Sequence, residues 1–247
     1  MDHPNPKCLP LIFAADNTKE LGATRVGLIS PYLCYMRQDK RFHEGEALTS
    51  KSLARQLSSA FDELVTVDPH LHRHRSLAEL YPIQTGVVHS APFIAEWTMR
   101  NERQVVIIGP DAESEQWVSE VAALARAPYR VLRKERLGDT DVKITVPDLH
   151  DVEDRTPILI DDIVSSGRTM VETARQLRGE GLSAAVCIAV HARLSHQTEN
   201  ALREVSSPLI TTNSIPHPTN EIDLSAAIAE QYLQFTSWLQ MSEHLVG

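Results

Sequence analysis

Short apolar runs alternate with amphipathic segments along most of this 247-residue chain. The runs have the length of buried strands, and the amphipathic segments repeat their apolar residues at helical spacing. Strands are predicted at 26–30, 64–67, 105–109, 129–132, 142–146, 157–160, 184–190 and 209–213. Helices are predicted at 11–21, from a cap at Thr49 or Ser50 to Phe61, around 117–124, at 170–179 and at 224–239. This alternation is typical of an α/β fold with parallel sheets.

The most informative stretch is 157–170, where an apolar run ends in two acids and a Ser/Gly/Thr loop opens a helix. Backbone N–H groups at a helix start can hold a phosphate, and carboxylates at the end of a parallel strand can accept sugar hydroxyls. The stretch therefore predicts a sugar-phosphate site, although an ordinary strand-to-helix turn with a polar cap is the alternative. The candidate residues are Asp161, Asp162, Ser165, Ser166, Gly167, Arg168 and Thr169.

Two basic segments each follow a predicted strand. Arg37, Gln38 and Asp39 lie in the first, where guanidinium groups suit a polyphosphate. Lys134 and Arg136 lie in the second, ahead of a Gly-containing loop, and could close as a lid over developing negative charge. A solvated charge run is the alternative for both segments.

Two further positions could hold a divalent ion. The strand at 64–67 leads into Asp68-Pro-His70 and two more histidines at alternate positions, and imidazole beside carboxylate suits such an ion, although solvated loop histidines are the alternative. Asp111 follows the strand at 105–109 and could bind a metal or a hydroxyl, or cap the next helix.

Composition narrows the function classes. A formal charge of -9 disfavours a nucleic-acid surface, and no apolar run approaches the roughly 20 residues of a membrane helix. The start of the chain does not have the pattern of a secretory signal, so a cytoplasmic location is expected. The three cysteines are far apart and predict neither a disulfide framework nor a zinc site.

The stretch 157–170 resembles the phosphoribosyl-pyrophosphate loop that type I phosphoribosyltransferases share with ribose-phosphate diphosphokinases, although the family form usually has an acid at Ser165 and a second Gly at Arg168. Other motifs favour the diphosphokinases, and they occur in that family's order. They are the ATP-binding stretch Ser30–Lys40, the metal signature Val67–His70 with Pro69 where Leu is usual, Gly109–Asp111, and the catalytic-loop pair Lys134 and Arg136.

The resemblance implies a fold of two phosphoribosyltransferase-like (Rossmann-like) parallel-sheet domains. The first domain is expected at 1–84, the second at 85–222 and a closing helix at 223–247. Family members usually carry one more strand-rich segment ahead of the helix that begins near Leu11, so the first domain is expected to be shortened at its N-terminus. Homo-oligomers are also implied.

The resemblance further implies a reaction between ATP and ribose 5-phosphate that gives phosphoribosyl pyrophosphate and AMP with Mg²⁺. Arg37, Gln38 and Asp39 would hold ATP, and His70 and Asp111 would lie at the metal. Lys134 and Arg136 would be catalytic, while Asp161, Asp162 and the segment 165–169 would hold ribose 5-phosphate. The alternatives are a regulatory homologue without turnover and a phosphoribosyltransferase that consumes phosphoribosyl pyrophosphate.

Overall fold

The computed structural model describes residues 1–41, 43–136, 142–145, 147–205 and 208–243, and the side chains of 134–136, 142–145 and 236–243 lie outside this description. The chain forms two compact units. The first unit comprises Met1–His89 and Ser225–Gly247, and the second unit comprises Ser90–Leu224.

The first unit is built on a parallel sheet with the strand order β1-β2-β3. Every residue of strand β2 is buried, including the apolar Leu64, Val65 and Val67. Helix α2 turns Leu53, Ala54 and Leu57 into the core, as its apolar periodicity predicts. In chain order the elements are α1 (Pro4–Glu20), β1 (Gly27–Ile29), α2 (Thr49–Ala60), β2 (Glu63–Val67), a 3₁₀ turn (Leu77–Glu79) and β3 (Gln84–Val88).

The second unit is built on a larger parallel sheet, preceded in the chain by α3 (Ala91–Asn101). Its elements continue as β4 (Val105–Gly109), a 3₁₀ turn (Ala112–Ser114), α4 (Glu115–Ala125), β5 (Tyr129–Val131), β6 (Arg133–Arg136), β7 (Val142–Thr145), a 3₁₀ turn (His150–Val152), β8 (Thr156–Val164), α5 (Arg168–Gly179), β9 (Val186–Ala192), α6 (His196–Val205), β10 (Leu209–Thr212) and β11 (Asn220–Ile222). Strands β6 and β7 pair with each other as an antiparallel hairpin.

The strand order of the larger sheet is β11-β10-β9-β8-β4-β5. The chain builds outward from β4 to β5, returns to place β8 on the other side of β4, and then continues outward to β11. The order therefore reverses between β4 and β8. In open parallel sheets ligands bind at such a switch point, beyond the carboxyl ends of the strands.

The closing helix α7 (Ser225–Glu243) belongs to the first unit and packs on its sheet. Two glycines make room for it. A Cβ at Gly27 would lie 2.7 Å from the ring and the hydroxyl of Tyr232, and one at Gly86 would lie 2.8 Å from Gln231. None of the helices in the described part of the chain combines the length and hydropathy of a membrane crossing.

Candidate functional site

The two predicted sugar-binding acids lie inside strand β8, which continues two residues beyond them to Val164, whereas the sequence predicted them at its carboxyl end. Both side chains are half-buried. Asp161 Oδ1 accepts a hydrogen bond from the N–H of Asp162 at 2.9 Å, and Asp162 Oδ1 accepts one from the N–H of Ile163 at 2.7 Å. These local bonds orient both carboxylates in the carboxyl-terminal half of the strand, beside the switch point.

The loop of residues 165–167 connects β8 directly to α5. Ser165 and Ser166 are exposed, and Gly167 caps the helix with a φ of 66°, in the left-handed region that favours glycine. Arg168 and Thr169 begin the helix, where N–H groups have no intrahelical acceptor. The structure therefore places the predicted residues of this stretch on a strand, a turn and a helix start, an arrangement that can bind an anion.

Asp111 follows β4, the strand that neighbours β8. Its Oδ1 accepts hydrogen bonds from the N–H groups of Glu113, at 3.1 Å, and Ser114, at 3.3 Å. Asp111 therefore caps the 3₁₀ turn that follows it, as the capping alternative predicted. Metal binding by Asp111 stays a prediction.

Lys134 and Arg136 lie on β6, where they face Ile144 and Val142 of β7 in the antiparallel register. Their side chains and the residues 137–141 lie outside the described part of the chain. Arg130, in the strand before the hairpin, bonds to residues that follow the hairpin. Arg130 donates from Nε to the carbonyl of Asp148 at 3.0 Å, and a hydrogen bond from its guanidinium holds the pKa of the Asp151 carboxyl below its usual value.

In the first unit, Arg37, Gln38 and Asp39 lie in the loop that follows β1. Gln38 is held by two hydroxyls from the start of α2. Thr49 Oγ1 bonds to Gln38 Oε1, and Ser50 Oγ donates to the Gln38 carbonyl at 2.9 Å. The prediction that Thr49 or Ser50 caps α2 is therefore wrong, because Leu48 occupies the cap and these hydroxyls bond to Gln38.

His70 lies in the loop that follows β2, at the same edge of the sheet because β1 and β2 are parallel. Asp68 and His70 have φ angles of 32° and 48°, which is costly backbone for residues other than glycine. Asp68 is 12% exposed, and its Oδ1 lies 3.3 Å from His89 Nδ1. Asp68 is the carboxylate that the sequence places beside the imidazole of His70 in the same motif.

The donor chemistry of this chain fits a hard cation. Mg²⁺ prefers oxygen ligands and usually keeps several waters, with one or two carboxylates from the protein. In the second unit, the half-buried Asp161 and Asp162 supply such carboxylates beside the loop predicted to hold phosphate. In the first unit, the strained loop presents a carboxylate, Asp68, together with the imidazole of His70.

Two family models match the chain. The model for the N-terminal domain of ribose phosphate pyrophosphokinase matches residues 1–60, and the phosphoribosyl transferase domain matches residues 76–218. The curated relatives include ribose-phosphate pyrophosphokinase from Methanopyrus kandleri, which is 33% identical over 89% of this chain and 75% of the relative. Ribose-phosphate pyrophosphokinase 2 from Archaeoglobus fulgidus is 34% identical over 92% of this chain and 79% of the relative.

Among solved structures, phosphoribosylpyrophosphate synthetase from Mycobacterium smegmatis superposes with a TM-score of 0.80 at 23% identity. The match covers 95% of this chain and 80% of that protein. It confirms the predicted α/β fold with two parallel sheets.

Proposed function

Since this chain belongs to the ribose-phosphate pyrophosphokinase (diphosphokinase) family, we propose that it transfers the diphosphoryl group of ATP to ribose 5-phosphate. The products are phosphoribosyl pyrophosphate and AMP. Family membership, which the sequence motifs predicted, makes the chain a transferase of nucleotide biosynthesis. The choice of substrates, the residue roles and the metal are the proposal.

The observation that carries the proposal is the geometry around β8. Asp161 and Asp162 are oriented in the carboxyl-terminal half of β8, and the 165–167 loop leads from the end of that strand into the first turn of α5. Ribose 5-phosphate has hydroxyls at one end and a phosphate at the other. The carboxylates would accept hydrogen bonds from the ring hydroxyls, while the loop and helix N–H groups would bind the phosphate, with Ser165, Ser166 and Thr169 adding hydroxyl donors.

The donor substrate would be held by the loop after β1. Arg37 would bind phosphate oxygens of ATP, and Gln38 and Asp39 would accept hydrogen bonds from its nucleoside part. The bonds from Thr49 and Ser50 hold Gln38 in place before ATP arrives. This preorganisation lowers the entropy lost on binding.

In the reaction, the anomeric hydroxyl of the sugar forms a bond to the β-phosphorus and loses its proton. The bond from the β-phosphorus to the bridging oxygen breaks, and AMP leaves with the electron pair. Phosphoryl-type transfer depends on positioning and charge neutralisation more than on covalent help. Lys134 and Arg136 would stabilise the charge that develops on the transferred group.

Mg²⁺, when bound, would supply the remaining neutralisation of the polyphosphate. His70 and Asp111 are the proposed residues near it, and Asp68 shares the strained loop of His70. A homo-oligomeric assembly, which the family resemblance implies, and the cytoplasmic location expected from the sequence complete the proposal.

The test is AMP formation from ATP, ribose 5-phosphate and Mg²⁺. Lys134→Ala is expected to lower kcat by roughly 10²-fold, the cost of one electrostatic donor. Lys51→Ala, at an exposed position of α2, is the control and should leave kcat unchanged. ATP binding without AMP formation would favour a regulatory homologue, and consumption of phosphoribosyl pyrophosphate only when a base is added would favour a phosphoribosyltransferase.

A further inference from the structure

Helix α6 contacts every residue of the 165–167 loop through Thr198. The Thr198 hydroxyl donates to the carbonyl of Ser166 at 3.2 Å and lies 3.5 Å from the carbonyl of Ser165. The methyl group of the same side chain abuts Gly167, where an added Cβ would lie 2.2 Å from it. Thr198 is 6% exposed, so these contacts are made inside the protein.

The hydrogen bonds around Thr198 have one consistent arrangement. The N–H of Thr198 donates to Ser195 Oγ at 3.2 Å, which makes Ser195 the cap of α6. The two hydroxyls lie 3.0 Å apart. Because the single proton of the Thr198 hydroxyl goes to the Ser166 carbonyl, the proton between the hydroxyls belongs to Ser195. The start of α6 therefore fixes the Thr198 hydroxyl before any ligand binds.

The bond to Ser166 has a consequence for the N–H groups of the loop. In a trans peptide the carbonyl and the following N–H point in opposite directions within one plane. Holding the carbonyls of Ser165 and Ser166 towards α6 turns the N–H groups of Ser166 and Gly167 away from it. The exposed side chains of Ser165 and Ser166 show that the loop meets solvent, where a phosphate would approach.

We propose that Thr198 is a positioning residue for the sugar-phosphate loop, aiming the N–H groups of Ser166 and Gly167 at the 5-phosphate of the acceptor. This inference rests on the proposed function, since it takes ribose 5-phosphate as the ligand of the loop. Thr198 lies behind the loop and does not touch the substrate. Its effect is confined to the affinity for ribose 5-phosphate.

Thr198→Val tests the inference, because it keeps the shape of the side chain and removes the hydroxyl. Loss of one hydrogen bond predicts a KM for ribose 5-phosphate that rises about fivefold, with the KM for ATP and kcat nearly unchanged. Thr198→Ser restores the hydroxyl and should restore the KM. Thr173→Val is the matched control: Thr173 is a buried residue of α5 whose hydroxyl has no partner within the described residues, and its replacement should leave both KM values unchanged.

Calorimetric titration with ribose 5-phosphate tests the positioning role of Thr198 and the proposed function of the chain separately. Wild-type protein that binds the sugar phosphate, together with a Thr198→Val variant that binds it equally well, would overturn the positioning role alone. Wild-type protein that does not bind it would overturn the proposed function as well. If Thr198→Val does not fold, as judged by thermal melting, Thr198→Ala takes its place, since the smaller side chain cannot clash with the loop, and the same rise in KM is expected.

Discussion

Arg73 Nε lies 3.2 Å from Asp39 Oδ2, and this ion pair joins the loop after β2 to the loop after β1. The Asp39 side chain is 7% exposed, whereas Arg73 is 45% exposed. The pair therefore fixes a nearly buried carboxylate in the segment that we propose to bind ATP. Arg73 was not among the residues predicted for the site.

Arg73→Ala should raise the KM for ATP about fivefold, because Asp39 loses the partner that orients it and a half-exposed ion pair contributes about 1 kcal/mol. The effect should shrink at high salt, since Arg73 is accessible to screening ions. Arg100→Ala breaks an exposed helical pair with Glu96 and serves as the control. Steady-state kinetics with ATP varied would contradict the role of Arg73 if the two variants had the same KM.

Gly27→Ala should lower the free energy of unfolding by about 1–3 kcal/mol through overpacking. The new methyl group would lie 2.7 Å from Tyr232 and 3.1 Å from Glu63 Oε2. Glu63 is buried and is paired with Arg25 at 2.7 Å, so it has little room to move. Denaturant unfolding of the variant and the wild type measures this change in the free energy of unfolding.

Gly179→Ala is the control for Gly27→Ala, because nothing lies within 4 Å of its added Cβ at the end of α5. It should be neutral or stabilising by up to about 1 kcal/mol. Equal unfolding midpoints for Gly27→Ala and the wild type would show that α7 does not pack on β1 as described.

Tyr81→Phe should leave the protein as stable as the wild type or stabilise it by about 1 kcal/mol at neutral pH. Tyr81 is 0% exposed, and its hydroxyl has no hydrogen-bond partner within the part of the chain that the structure describes. Phenylalanine removes the buried hydroxyl and keeps the ring. Tyr129→Phe, at an exposed position of β5, is the control and should change stability by less than about 0.5 kcal/mol.

Tyr81→Phe should also change how the stability of the protein depends on pH above pH 10. Burial, with a smaller effect from the thiols of Cys34 and Cys8, raises the pKa of Tyr81 above its usual value of 10.0. The unfolded chain therefore loses this proton first, so stability is complete below about pH 10 and falls as the pH rises towards the folded pKa. Tyr81→Phe should flatten this decline in unfolding midpoints above pH 10, and an unchanged decline would contradict the burial of the hydroxyl.

The strands of the second unit were predictable because both faces of a covered parallel sheet are apolar. Strand β4 has the predicted bounds, Val105–Gly109, with all its residues buried. Strand β3 was missed, and the boundary between the two predicted domains was expected inside it, after residue 84. Its sequence begins Gln84-Thr-Gly86, which is not a typical strand pattern. Gly86 leaves space for Gln231 of α7, and this distant contact cannot be seen in the local sequence.

The candidate site was predictable where its residues are consecutive, as in β8 and its loop. Thr198 was missed because it is 32 residues from Ser166 and its contacts depend on how α6 packs. A local signal for α6 exists: Ser195 is a favoured cap residue, and the buried Thr198, Leu202 and Val205 follow at helical spacing. The hydroxyls of Thr49 and Ser50 were misinterpreted because their partner, Gln38, is likewise brought near by folding.

The most direct test of the proposed reaction follows the β-phosphorus of ATP. Protein is incubated with ATP labelled at that atom, ribose 5-phosphate and Mg²⁺, and the products are separated. Diphosphoryl transfer should place the label in a ribose diphosphate ester and release unlabelled AMP in equal amount. Label in ADP, or no AMP while ATP and ribose 5-phosphate both bind, would contradict diphosphoryl transfer by this chain.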